Sequence, residues 1–323
     1  MSELYHYTTA TGFLGMLEDN RTGNNSEPKP ITDLTMRATH CNYMNDRSEF
    51  FWGIQLCNKA IRDYEKRNKV SKEISLQKYL KDPYSESNTW SLLYFSSHID
   101  SIDYGYPYLI SFSGAKDSIP MWGMYAQKGG GIALVFDRDR LEGRFSADKY
   151  KDCIYCNDGD TDLLMGYIER KYKEFIKVND AKKVDAPRGK LKRMRAMARI
   201  HEIYREICPY VKHKSFEYEK EFRIVVSNPK PISYESGDEH SLSDHYSQQH
   251  SNPSSAAIYF REKDGLIIPF VHQEIPVDYI KGIVVGPTAD FIRMKDALTI
   301  LLKNKGVDIS KIDIIKSEVP YRG

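Results

Sequence analysis

Over residues 216–226, F-E-Y-E-K-E-F-R-I-V-V, apolar and polar side chains alternate with period two in the second half. Phe222, Ile224 and Val226 fall on one face of a strand, and Glu219, Glu221 and Arg223 on the other. Two carboxylates two residues apart on one strand face repel each other, and an adjacent Arg223 relieves that repulsion. The pattern suits a half-exposed strand with a solvated charged face. A site that holds a cation, or a sugar with developing positive charge, would use the same arrangement.

Similar patterning organises the rest of the chain. Strands are expected at 4–8, 36–39, 108–113, 132–136, within 144–155, at 280–285 and at 312–316. The run I-A-L-V-F at 132–136 is continuously apolar, as in a strand buried on both faces. Helices are expected at 9–18, from Asp46 to about residue 68, at 71–82, 118–125 and 291–303. Asp46 and Glu49 have capping-box spacing, and Pro120 sits in a first turn, where its missing N–H does no harm. Residues 160–208 read as a mostly helical insert or lid. Residues 21–33 and about 229–255 are rich in loop-forming residues, and the second stretch reads as a long mobile loop. The order of elements suits an α+β fold rather than regular βαβ alternation.

With 323 residues, 41% of them hydrophobic and 12% aromatic, the chain is long enough for one large domain carrying an insertion. A net charge of +2 does not by itself demand a nucleic-acid or membrane partner. Cys41, Cys57, Cys153, Cys156 and Cys208 are irregularly spaced and form no disulfide framework. Cys153-x-x-Cys156 lacks a second ligand pair for zinc and a thioredoxin-like context, so these are read as ordinary thiols. No secretory signal or membrane span is visible, and a reducing cytoplasm is the expected location. No metal motif is present, and no G-x-G-x-x-G follows a strand as a dehydrogenase would require.

Four segments carry residues that could do chemistry: His6-Tyr7-Thr8, Asn45-Asp46-x-x-Glu49, the stretch from Ser111 and Ser113 to Trp122 and Tyr125, and Glu219-x-Glu221-x-Arg223. Each has an ordinary structural reading when taken singly. His6 suits a surface strand, Asp46 and Glu49 a helix cap, and Trp122 and Tyr125 core packing at a spacing of three. The basic cluster from Lys182 to Arg199 suits a solvated helix face, or a contact with nucleic acid or with NAD phosphates.

Taken in order, the motifs resemble a bacterial family catalogued as domain of unknown function twenty-nine seventy-one. The matching pieces are Y-H-Y-T, N-D-R-S-E, S-F-S-x(4)-S-x-x-M-W-x-x-Y-A, G-G-I-A-L-V-F, F-E-Y-E-K-E-F-R and I-x-G-I-V-V-G-P. That family is in turn similar to ADP-ribosyltransferases with a His, aromatic and Glu triad. The resemblance implies a split, twisted β-sheet core and an enzyme that uses NAD as co-substrate. The acceptor of ADP-ribose would be a protein or a nucleic acid, in the setting of a toxin or antiphage effector with a neutralising partner.

By the same resemblance, His6 would bond the ribose hydroxyls, the backbone of Tyr7 would grip the nicotinamide amide, and Thr8 would support it. Ser111 and Ser113 would belong to the second core strand. Trp122 or Tyr125 would stack on nicotinamide, and Arg223 would hold the charges in place at the NAD site. Glu221 would carry catalysis, with Glu219 assisting the acceptor. NAD hydrolysis without an acceptor, or binding without chemistry, are the alternatives. The chemistry fits the residue types: cleavage of the nicotinamide–ribose bond builds positive charge on a sugar carbon, which a rigidly held carboxylate stabilises.

Overall fold

A computed structural model describes residues 2–17, 30–44, 49–80, 107–181, 190–226, 258–263 and 265–320. Asn45, Asp46, the loop at 229–255, and Lys182, Lys183 and Arg188 lie outside these residues.

In chain order the strands are β1 (Glu3–Thr8), β2 (Asp33–His40), β3 (Tyr108–Ser113), β4 (Ile132–Asp137), β5 (Tyr150–Asp152), β6 (Ile154–Cys156), β7 (Val211–His213), β8 (Glu221–Val226), β9 (Ile258–Lys263), β10 (Leu266–Pro276), β11 (Ile280–Val285) and β12 (Asp313–Lys316). The helices are α1 (Ala10–Leu17), α2 (Glu49–Arg67), α3 (Ile119–Tyr125), α4 (Arg138–Arg144), α5 (Asp162–Ala181), α6 (Lys190–Ile207) and α7 (Phe291–Asn304). This is an α+β protein built on an open sheet.

The sheet runs β12-β11-β4-β1-β3-β2-β10-β9, with β8 also on β3 and β5 on β8. Its pairing contains a split. β8 follows β3 along its whole length, from Tyr108↔Val226 to Ser113↔Glu221. That occupies one edge of β3, so β1 and β2 share the other. β1 meets β3 only at Tyr5↔Ser113, and β2 only at Thr39↔Leu109 and His40↔Tyr108. Between those contacts β1 and β2 part, and the β3 edge at 110–112 borders the gap. Such an edge carries backbone polar groups that need partners.

The central strands are buried on both faces, and alternate residues enter different cores. Leu4, Ile110, Phe112, Leu134, Phe136, Phe222 and Ile224 form one core with α1 and α7. On the opposite face, Tyr5, Tyr7, Ala133 and Val135 pack on Met121 and Trp122 of α3. Beside them, Leu109 packs on a helical layer of α2, α5 and α6. The expected insert at 160–208 is therefore a buttress with its own core. Its described residues line no part of the cavity below.

Several expectations need correction. The stretch 216–226 is not one strand: Lys214–Glu219 is a 3-10 helix, Lys220 is left-handed (φ 45°), and β8 begins at Glu221. The expected helix at 71–82 is reduced to a 3-10 turn, Gln77–Tyr79. Strands β7, β9 and β10 and helix α4 were not foreseen. No helix among the described residues is long and apolar enough to cross a membrane.

Candidate functional site

A cavity of about 490 Å³ opens where β1 and β2 part. This size lies in the range of small-molecule sites, roughly 300–1,000 Å³. Because no described strand covers that stretch of the β3 edge, both side-chain parities reach it: Ser111 and Ser113 from one face, Ile110 and Phe112 from the other. His6, Tyr7 and Thr8 border it from β1, Tyr125 from α3, and Glu219, Glu221 and Arg223 from the 3-10 turn and β8.

His6 is set by the split itself. Its Nδ1–H donates to the Ser111 carbonyl at 3.0 Å, satisfying the exposed strand edge. That bond fixes the tautomer and leaves Nε2 as an acceptor. Burial lowers the His6 pKa, against a smaller opposing effect of the Ser111 carbonyl, so the ring is neutral at pH 7.

The carboxylates sit in a buried, charge-balanced cluster. Glu219 is 2% exposed, Glu221 5%, Arg223 2% and Lys212 4%. Arg223 grips Glu221 bidentately, Nε to Oε1 and Nη2 to Oε2, both at 2.8 Å. Lys212 Nζ donates to Glu221 Oε2 at 2.8 Å and to Glu219 Oε2 at 2.5 Å. The Tyr125 hydroxyl donates to Glu219 Oε1 at 3.0 Å. Two carboxylates against an ammonium and a guanidinium leave no net charge, which is how ionised groups tolerate burial. Burial alone would push the Glu221 carboxyl up, but the charges and hydrogen bonds of Arg223 and Lys212 outweigh it and hold it at about 2. Glu221 is thus a carboxylate throughout the physiological range.

Local geometry explains why both carboxylates converge. In a continuous strand Glu219 and Glu221 would stand side by side on one face. Left-handed Lys220 breaks the strand between them, at a cost for a non-glycine residue that its surroundings must offset. Two bonds do this: Ser113 Oγ donates to the Glu219 carbonyl at 2.5 Å, and Gly114 N–H to the Lys220 carbonyl at 2.8 Å. Lys212 lies on β7, whose parallel partner β6 sets Tyr155 beside it (Tyr155↔Lys212). The Tyr155 hydroxyl then accepts the Glu221 N–H at 2.7 Å.

Other expected residues take structural roles. Trp122 is fully buried, packs edge-on against Tyr7 (4.9 Å) and donates its indole N–H to Asp117 at 2.7 Å. It does not border the cavity, so of the two candidate stacking rings only half-buried Tyr125 does. The Tyr7 hydroxyl donates to the Ala115 carbonyl and accepts from Ser118 N–H, bracing the turn between β3 and α3. Arg223, expected at the NAD site, spends its donors on Glu221 and the Pro209 carbonyl, so it positions Glu221. In the basic segment, Arg193 is exposed, whereas Arg199 pairs with Glu174 and Glu202 and ties α6 to α5.

Sequence reasoning missed Lys212, Arg37 and Arg261, all of which border the cavity. Arg37 was legible in part: Leu34, Met36 and Ala38 alternate with Thr35, Arg37 and Thr39.

Residues 121–224 match the model of a family described as a protein of unknown function (DUF2971), which supports placing the chain with that family. The match includes Tyr125, Lys212, Glu219, Glu221 and Arg223, and stops short of β1 and β2. No curated protein and no solved structure matches the chain.

Proposed function

We propose that the chain is an NAD-cleaving enzyme that transfers ADP-ribose to a macromolecular acceptor, protein or nucleic acid, on a core of ADP-ribosyltransferase type. One observation carries the reading: His6, Tyr125, Glu219 and Glu221, from distant parts of the sequence, border a single cavity at the split of the sheet. Neutral His6 offers Nε2 to a ribose hydroxyl, and the Tyr125 ring offers a face for nicotinamide. When the bond from the ribose carbon to the nicotinamide nitrogen breaks, its electron pair leaves with nicotinamide. The cationic sugar carbon is stabilised by Glu221. The acceptor's lone pair then closes the new bond, and its proton passes to Glu219.

The pairing of Glu221 favours a second reading. Its two oxygens already accept three bonds from Arg223 and Lys212, a neutralised state that suits binding a nucleotide without cleaving it. Mass spectrometry after incubation with NAD and mixed protein, DNA and RNA acceptors separates the outcomes. An acceptor heavier by one ADP-ribose supports transfer, and free ADP-ribose alone supports hydrolysis. Intact NAD with every acceptor refutes both and leaves the binding reading.

A further inference from the structure

At the cavity wall away from the glutamates, the register of the strands gathers a second set of polar groups. Thr39 pairs with Phe270, and Phe270 with Tyr259, so Arg37, Thr39 and Arg261 share one face of β2-β10-β9. Thr39 also pairs with Leu109, which brings Ser111 of β3 onto that face. Continued, the same register would set Arg37 opposite Ser111, but the strands part there and the cavity lies between.

The groups at this end lack the partners that satisfy the other end. Among the described residues no carboxylate pairs with Arg37 or Arg261, whereas Glu219 and Glu221 are fully matched by Lys212 and Arg223. Among the described residues, Arg261 Nη2 makes only a long bond to Thr39 Oγ1 (3.4 Å). Among the same residues, Arg261 Nε and Ser111 Oγ are buried polar atoms without a hydrogen-bond partner. Buried polar groups left unsatisfied are costly, and clustered ones point to a ligand that satisfies them. Burial, and next the charge of Arg37, weaken the protonated form of Arg261, so the two guanidiniums act on each other through a poorly screened medium. Helix α1 closes over Arg37, and Gly15 makes that approach possible: a Cβ there would stand 2.6 Å from Arg37 Nη2.

We infer that Arg37 and Arg261, with the hydroxyls of Thr39 and Ser111, form a diphosphate subsite that holds the bridging phosphates of a nucleotide. Paired guanidiniums match phosphate oxygens bidentately, and the hydroxyls complete the cradle. The inference builds on the cavity proposed above as the NAD site, but it specifies the part of the ligand that is bound rather than the bond that is broken.

Isothermal titration calorimetry with inorganic pyrophosphate and with ADP-ribose tests it. Wild-type protein should bind both. Arg37→Gln and Arg261→Gln should each weaken both by about tenfold or more, the scale of one lost charge-assisted contact. Arg261→Lys should recover only part of the loss, because it keeps the charge but not the fork. Arg193→Gln, an exposed charge outside the cavity, should change neither. Circular dichroism shows whether each variant is folded. Failure of wild-type protein to bind either probe overturns the inference, as does unchanged affinity in folded Arg37→Gln and Arg261→Gln, or an equal loss in Arg193→Gln. NAD cleavage that fails while pyrophosphate binding persists refutes the enzyme reading and leaves the subsite standing.

Discussion

Replacing Lys212 by Met tests the buried charge cluster. Lys212 is the only described group that bonds both carboxylates, and methionine fills much of its volume without its charge. Glu221 is held at about 2 against an ordinary value of 4.5. At about 1.4 kcal/mol per pH unit, that difference is worth on the order of 3 kcal/mol at neutral pH, shared between Arg223 and Lys212. Removing one partner of a buried pair also strands the other, at about 3–5 kcal/mol. Lys212→Met should therefore lose about 3 kcal/mol or more at pH 7, which lowers the apparent Tm by roughly 5 °C or more.

The sign of the pH dependence is the sharper test. In wild type the Glu221 pKa is depressed, so its contribution is complete above about pH 4.5 and is lost as pH falls toward 2. In the variant the two carboxylates share one cation, so a folded-state carboxyl pKa rises above its unfolded value. The folded variant then takes up a proton that the unfolded chain does not, and it regains stability as pH falls from 7 to 5. Urea denaturation at both pH values should show the gap between wild type and variant narrowing at pH 5. Equal midpoints at pH 7, or a gap that does not change with pH, would refute the reasoning.

Three further outcomes follow from the geometry. An NMR titration of the His6 ring should find the Nδ1–H tautomer and a pKa below 6.5; because the folded pKa is lowered, His6 makes stability fall as pH drops below about 6.5, a pKa at or above that value contradicts the burial of the ring, and the Nε2–H tautomer contradicts the split-edge bond. Trp122→Phe should cost about 1–3 kcal/mol by urea denaturation and leave the KM for NAD within about twofold, whereas Tyr125→Ala should raise KM with a smaller loss of stability; the reverse pattern would return Trp122 to the site. All five cysteines are buried, with Cys57 and Cys208 sulfurs 3.6 Å apart, so a thiol reagent should label none in the native protein and all after unfolding.

Much of the fold was legible because strand-forming residues cluster in short apolar or alternating runs. The apolar run of β4, the aromatic and β-branched residues of β1, the run Y-L-I-S-F-S of β3, and the alternation of Phe222, Ile224 and Val226 in β8 each mark a strand locally. The break before Glu221 was not legible. E-Y-E-K-E alternates as a strand would, and what overrides it is tertiary: Ser113, more than a hundred residues away in sequence, holds the Glu219 carbonyl. Lys212 stayed hidden because β7 has only three residues, too few for periodicity to show. Trp122 and Tyr125 share a seven-residue helix, and nothing local says which ring meets the core and which the cavity. Arg261 sits in Y-F-R-E-K, where charges on both faces obscure the pattern, so only the pairing of β9 with β10 brings it to the split.

The central claim is that the cavity at the split of the sheet cleaves NAD through Glu221. Nicotinamide release from NAD, measured with purified wild-type protein and with Glu221→Gln confirmed as folded, tests it most directly. The account predicts release by wild type and a loss of roughly a hundredfold or more in the variant. No release by wild type across protein, DNA and RNA acceptors, or equal release by both proteins, would contradict it.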